Sequence, residues 1–259
     1  LLSRGLGDVY KRQPFADPRV IAATGFTRGP DGLNWQARAE RIDASGRSYP
    51  IPVEGPALLA PEWGDPVSTL GTNCAFRRDA LLAVGGFDPA FAYHLDESDV
   101  NRRLAQAFPQ GLTAVVPGAE VIHGLEPGTS RASRGVPHDL RAVGRSTAIF
   151  AARHGGSADW LAAAQRRRLL RLMVAGRLEP RAVGRVLATL HAGLAEAQGM
   201  APPPPGPLAP DPPAFLPLPA RPGEALFLAG WHWRARTLRR RAAQAVSYTH
   251  LTLPTSDLV

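Results

Sequence analysis

Four carboxylates crowd into one short stretch of this 259-residue chain: Asp88, Asp96, Glu97 and Asp99 all fall within GGFDPAFAYHLDESDVNRRL, residues 85–104. The stretch runs into the pattern of a helix expected from about Ser98 to Phe108, with Val100, Leu104 and Phe108 on one face. Asp96 or Ser98 is placed to cap that helix, and one cap does not need four acids. The field at the helix start is expected to keep Asp96, Glu97 and Asp99 ionised, whereas their mutual proximity is expected to raise one another's proton affinity. An ionised carboxylate fixed on a rigid element and facing a pocket is what a general base needs to take a proton from an acceptor hydroxyl. The competing reading of the same residues is a capped helix behind a solvated acidic turn.

The elements expected to position these acids alternate between strand and helix, which argues for an α/β layer structure. Arg19–Phe26, RVIAATGF, reads as a buried strand, and the polar residues 28–50 read as loops or a hairpin. Arg78–Val84 has the spacing of a short helix stopped by Gly85 and Gly86, whose expected role is a tight turn with positive φ. Two brief strands are expected at Thr113–Val116 and Ala119–His123. Three amphipathic helices then follow at 139–154, 158–175 and 180–198, the last with Pro180 at its first position and Gly199 as its stop. The proline-rich residues 201–222 read as a semi-rigid linker, and 223–245 as the opening of a second α/β segment.

Charge divides the chain. Residues 14–130 hold nine Arg and fourteen acids, net −5, while residues 131–245 hold eighteen Arg and six acids, net +12. An acidic front suits a cation site, and a basic back suits an anionic lipid surface or a phosphorylated acceptor. Nucleic acid is not expected, because no aromatic residues interleave the Arg clusters. The single Cys74, in GTNCAF, excludes an internal disulfide and reads as strand packing. No apolar run approaches the eighteen or so residues of a membrane span. The two ends differ from the middle: the only Lys is Lys11, and Tyr10 and Tyr248 are two of four Tyr. SRGLGDVYKRQ and VSYTHLTLPT resemble translated sequencing adapters, so residues 1–13 and 246–259 are expected to be artefacts flanking a reading frame cut at both sides.

The ordered series GTNCAFRRDALLAVGGFDPAFAYHLDESDVNRRL followed by AEVIH resembles the C-terminal part of the GT-A nucleotide-binding domain of family 2 glycosyltransferases. PFADPRVIAATG is similar to that family's strand after its metal-binding motif, so the resemblance covers about residues 14–131. Laying the family's E-D-x-D over Asp96-Glu97-Ser98-Asp99 puts the catalytic base on Glu97, with the Glu-Asp order reversed, so that Asp96 also stays a candidate. The resemblance implies that Asp88 lines the acceptor side, with Gly71, Thr72 and Asn73 in the segment beneath it, and that Asp99 also contacts substrate.

His123 is implied to help hold a Mg²⁺ or Mn²⁺ ion or the nucleotide diphosphate. The family's Asp-x-Asp pair, the main metal contact, does not occur in this chain. The activity implied is an inverting sugar transfer from a nucleotide-diphospho-sugar donor to a glycan or lipid-linked acceptor, in bacterial polysaccharide synthesis. The expected location is the cytoplasm, with peripheral contact to the inner membrane through the Arg-rich helices, and the chain alone is expected to be inactive. Three alternatives stay open: a non-catalytic carbohydrate-binding module, a galactosyltransferase-like or nucleotidyl-transfer enzyme, and a basic adaptor.

Overall fold

A computed structural model describes residues 2–3, 10–91, 93–125, 127–128, 130–132, 135–200, 202–208, 236–237 and 240–241. Compact unit 1 covers Leu1–Pro210 and unit 2 Asp211–Val259. In the second unit only 236–237 and 240–241 are described, both helical. The expected second α/β segment and most of the proline-rich linker therefore lie outside the described residues.

Unit 1 is a mixed α/β domain followed by helices. Its central strands are β2 (Val20–Arg28) and β8 (Leu112–Ile122), which run parallel to each other. Both read as nearly continuous apolar runs because both are buried on two faces. Around them, β1 (Leu2–Ser3) and β6 (Ala57–Leu59) pair antiparallel with β8, while β3 (Trp35–Ala37) and β7 (Cys74–Phe76) pair antiparallel with β2. β4 (Glu40–Ile42) and β5 (Ser48–Pro50) form a separate hairpin within the segment expected to hold one. Alternation along β8 separates the layers: Ala114 packs with Val20 and Ala23, and its neighbour Val115 packs with Phe26 and Val67.

The two strands expected at 113–116 and 119–123 are one. The chain continues through Pro117 and Gly118, and the offset appears as a register shift, with Gly25 opposite Val116 and Thr27 opposite Val121. Asn73 holds this irregularity together by donating its amide to the carbonyls of Phe26, at 3.0 Å, and Ala119, at 2.7 Å. Such carbonyls lose a ladder partner at a bulge and need another donor.

The parallel β2–β8 connection carries α1 (Arg78–Ala83) and α2 (Asp96–Ala107) across one face of the sheet. Ala80, Val84, Val100 and Leu104 are buried there together, with Ile21, Phe76 and Phe108 packed against them. The apolar face expected for the second helix is therefore the face that meets the sheet.

Three further helices follow: α3 (Arg141–His154), α4 (Asp159–Val174) and α5 (Pro180–Glu196). They share a core of Leu140, Leu161, Leu169, Val186 and Leu190. Each such side chain contributes about 1.5–3 kcal/mol on burial. α3 and α5 cross at glycines, since a Cβ on Gly193 would lie 1.9 Å from the Arg141 carbonyl oxygen and one on Gly144 2.4 Å from that of Leu190. No helix among the described residues is long and apolar enough to cross a membrane.

Candidate active site

α2 begins at Asp96, so Asp96, Glu97 and Asp99 occupy its first turn. The expected side-chain cap is absent: Leu95 stands at the cap position in the left-handed region, with φ 65°, and no side chain bonds there. His94 before it also has positive φ, at 91°. Two successive non-glycine residues in that region cost on the order of 1–3 kcal/mol each, and they persist only where packing holds them. That packing is a buried cluster in which Leu95 and Phe91 meet Ile42 of β4, Ile149 and Phe150 of α3, and Ala197 after α5.

Glu97 faces Gly71. A Cβ on Gly71 would lie 3.5 Å from Glu97 Oε2, and the Gly71 backbone hydrogen-bonds to the carboxyl. Burial, then the hydrogen bond and charge of Asp96, push the Glu97 carboxyl up to about 8. The expectation that the helix start would keep it ionised is thereby corrected. The helix-end field contributes about 0.3–1 kcal/mol, less than the roughly 1.4 kcal/mol of one pKa unit, and burial overrides it. The Glu97 carboxyl therefore holds its proton more tightly than a free glutamate does. The reversed Asp-Glu order thus places the longer side chain beside Gly71.

Asp99 points the other way. It has no exposed surface; Arg103 Nε donates to its Oδ2 at 2.7 Å, and Arg153 Nη1 and His154 Nε2 reach its Oδ1, each at 3.0 Å. Burial alone would raise this carboxyl, but the bonds from His154, Arg103 and Arg153 outweigh it and hold it below the ordinary range. Burial also lowers His154, against the pull of Asp99, so the ring is neutral near pH 7 and Nε2 carries the hydrogen donated to Asp99.

Asp88 is drawn into the same network. Its Oδ2 pairs with Arg153 Nη2 at 2.7 Å, and its Oδ1 accepts the Ala90 amide at 2.8 Å. Asp88 and Asp99, both expected to contact substrate, are thus internal braces here, and Asn73, expected beneath the acceptor, is the buried staple of the β2–β8 bulge. Thr72 is half-buried beside Gly71. The segment Gly71–Thr72 and the pair Asp96–Glu97 are the predicted residues that the structure brings together.

Arg103 closes the network onto the turn after α1. Its Nη2 donates to the Gly86 carbonyl at 2.7 Å and its Nη1 to that of Val84. Gly85 and Gly86 adopt the expected positive φ, at 84° and 70°. The proline-rich residues 202–208 lie against the same turn: the Leu208 amide donates to the Leu82 carbonyl at 2.9 Å, and Arg153 Nη2 donates to the Pro202 carbonyl at 3.0 Å. Arg102 and Arg77 nearby are also structural, Arg102 pairing with Asp65 at 3.0 Å and Arg77 donating to the carbonyls of Phe15, Asp17 and Val20.

His123 stands at the end of β8, with Nδ1 at 3.1 Å from Gln36 Oε1. Burial and the charge of Arg131 lower its proton affinity. Among the described residues no group of three His, Cys, Asp or Glu side chains is placed to hold a metal ion. One imidazole already engaged by Gln36, in the field of an arginine, does not fit a Mg²⁺ or Mn²⁺ site, which asks for several oxygen ligands. The expected metal role of His123 is not carried by these residues. Cys74 is half-buried in β7, and burial, with the charge of Glu97, pushes its thiol up to about 11, which suits packing rather than nucleophilic attack.

Arg153 and His154 are the partners that the sequence concealed. They close α3, more than fifty residues from Asp88 and Asp99, and a basic pair in a last turn is sufficiently explained by the helix-end field.

No protein-family model matches the chain, and no solved structure matches it. Two curated relatives do, both named N-acetylglucosaminyl-diphospho-decaprenol L-rhamnosyltransferase, from two strains of Mycobacterium tuberculosis. Each is 31% identical over 160 residues, covering 54% of this chain and 48% of the relative. The chain therefore spans about half the length of the curated relatives it matches, and what it is similar to is a bacterial glycosyltransferase.

Proposed function

We propose that this chain is the acceptor-side part of an inverting GT-A glycosyltransferase of the family 2 type, and that Glu97 is its general base. The observation that supports this most is the Asp96–Glu97 pair on a braced helix start, with the Glu97 carboxyl pushed up to about 8 beside Gly71. A base works best when its pKa lies near the working pH. In the proposed reaction Glu97 takes the proton of an acceptor hydroxyl as that oxygen bonds to the anomeric carbon of the donor sugar. The bond to the nucleoside diphosphate breaks on the opposite face, and its electron pair leaves with the diphosphate. Asp96 stabilises the protonated Glu97 that results.

The named substrates of the relatives supply the substrate class. We take the donor to be a nucleotide-activated deoxyhexose such as L-rhamnose, and the acceptor a prenyl-diphosphate-linked amino sugar in cell-wall glycan synthesis. An acceptor of this kind places the enzyme at a membrane surface, on the cytoplasmic side.

The test is rhamnosyl transfer by the protein carrying this sequence, using N-acetylglucosaminyl-diphospho-prenol as acceptor. Glu97→Gln is expected to lower kcat about 10²–10⁴-fold while donor binding is unchanged. Wild-type turnover by the variant overturns the assignment.

A further inference from the structure

The turn after α1 meets the proline-rich residues 202–208, PPPPGPL, at positions spaced three apart. The Pro202 carbonyl accepts Arg153 Nη2 at 3.0 Å. The Pro205 carbonyl oxygen lies 2.6 Å from where a Cβ on Gly85 would stand. The Leu208 amide donates to the Leu82 carbonyl at 2.9 Å, and Leu208 Cδ1 lies 3.2 Å from the Cβ position of Gly86. Pro202 and Pro205 are half-buried, whereas Pro203, Pro204, Gly206 and Pro207 are exposed. A contact at every third residue is the period of a polyproline II helix, distinct from the periods of an α-helix or a strand.

Both sides of this contact are shaped for it. Gly85 has a φ of 84°, and any Cβ there would also stand 2.5 Å from the Gly206 carbonyl oxygen, so the turn needs glycine both for its own backbone and for the approach of another. On the other side, five of the seven residues are proline. Their fixed φ keeps the free segment extended, so docking removes little conformational freedom. Prolines also remove donors: only Gly206 and Leu208 keep a backbone N–H, and that of Leu208 is bonded to Leu82.

We infer that Leu82, Gly85, Gly86 and Arg153 form a recognition surface for a polyproline II segment, and that its occupant is residues 202–208 of the same chain. One guanidinium joins this surface to the acidic turn, since Arg153 Nη2 holds both Pro202 and Asp88 while Nη1 holds Asp99. Docking clamps that brace from outside, which makes residues 202–208 a positioning segment for the start of α2. The docking stands apart from the transferase reading, and only its effect on turnover rests on that reading.

The test is amide hydrogen exchange of the whole chain followed by NMR. The Leu208 amide is expected to exchange at least about tenfold more slowly than a free-chain amide, and the exposed Gly206 amide at the free rate. Gly85→Ala is expected to abolish the protection of Leu208. Gly176→Ala is the control: φ there is 67° and nothing lies within 4 Å of the Cβ position, so it carries the same backbone strain without meeting the segment, and protection is expected to persist. Pro203→Gly/Pro204→Gly alters only exposed residues and frees their backbones; it is expected to reduce the protection of Leu208 and to lower kcat for rhamnosyl transfer with donor KM unchanged.

Free exchange at Leu208 in the wild type, or full protection in Gly85→Ala, overturns the surface. Full protection in the double glycine variant overturns polyproline II recognition and leaves an ordinary hydrogen bond. Protection that falls on dilution places the segment on a second copy and overturns docking within one chain. Reduced protection with unchanged kcat overturns the positioning role. Normal transfer by Glu97→Gln, with Leu208 protected as expected, sinks the catalytic reading and leaves the docking in place.

Discussion

Arg153 holds two carboxylates at once: Nη2 lies 2.7 Å from Asp88 Oδ2 and Nη1 lies 3.0 Å from Asp99 Oδ1. One carboxylate belongs to the turn after α1 and the other to the first turn of α2, so a single guanidinium from α3 sets the spacing between them.

Arg153→Met therefore strands two buried acids. The expected loss is about 3–5 kcal/mol of stability, the cost of removing one partner from a buried ionic group. Urea unfolding measures it, and a loss below about 1 kcal/mol would mean that water enters the cluster freely. Asp88→Asn keeps the Arg153–Asp99 contact, so its cost is expected to be smaller, with lowered kcat and little change in donor KM if the brace aligns Glu97.

The proton on Glu97 has a signature in stability. Its carboxyl is raised in the folded state, so folding is favoured by protonation and this contribution is lost as pH climbs from about 4.5 through about 8. Glu97→Gln removes the penalty. Partial solvent access reduces the full linkage value, and the variant is expected to gain about 1–2 kcal/mol at pH 9 and almost nothing at pH 4. Melting curves across that range check both the sign and the window.

The same group shapes the rate. kcat/KM is expected to rise with pH through a limb near 8, as Glu97 loses its proton. Asp96→Asn removes the neighbouring negative charge and should move that limb to lower pH. A limb that stays in place would assign the titration to another group.

The α3–α5 crossing admits no side chain at Gly193, where a Cβ would meet the Arg141 carbonyl oxygen at 1.9 Å. Gly193→Ala is expected to cost about 1–3 kcal/mol, the usual result of overpacking. Gly184, on the same helix with nothing within 4 Å of its Cβ position, provides the control. Its change to Ala is expected to be neutral or stabilising.

Much of the frame was legible because its signals are local. β2, α1 with its glycine turn, and all three appended helices stand within a few residues of their expected places, since apolar periodicity, Pro180 and the glycine stops act over single turns of chain. The join of β8 was not legible, because Pro117 and Gly118 read as a break and only the distant amide of Asn73 shows why the strand survives them. The missing cap at Leu95 was hidden for the same reason: apart from Phe91, the residues packed on it, Ile42, Ile149, Phe150 and Ala197, lie far along the chain. The acidic pair could be found by composition, but its division of labour could not. Burial of Glu97 against Gly71 and the capture of Asp99 by Arg103, Arg153 and His154 are tertiary facts.

The packing beneath Leu95 also bears on synthesis. A ribosome delivers the acidic residues well before Ile149, Phe150 and Ala197, and the strained backbone at His94 and Leu95 has only Ile42 and Phe91 of its cluster beside it until those arrive. Both strands of the β2–β8 pair are complete in the chain by residue 122, whereas the last member of the cluster beneath Leu95 comes roughly seventy-five residues later, so the sequence that builds the sheet precedes the sequence that finishes the acidic turn.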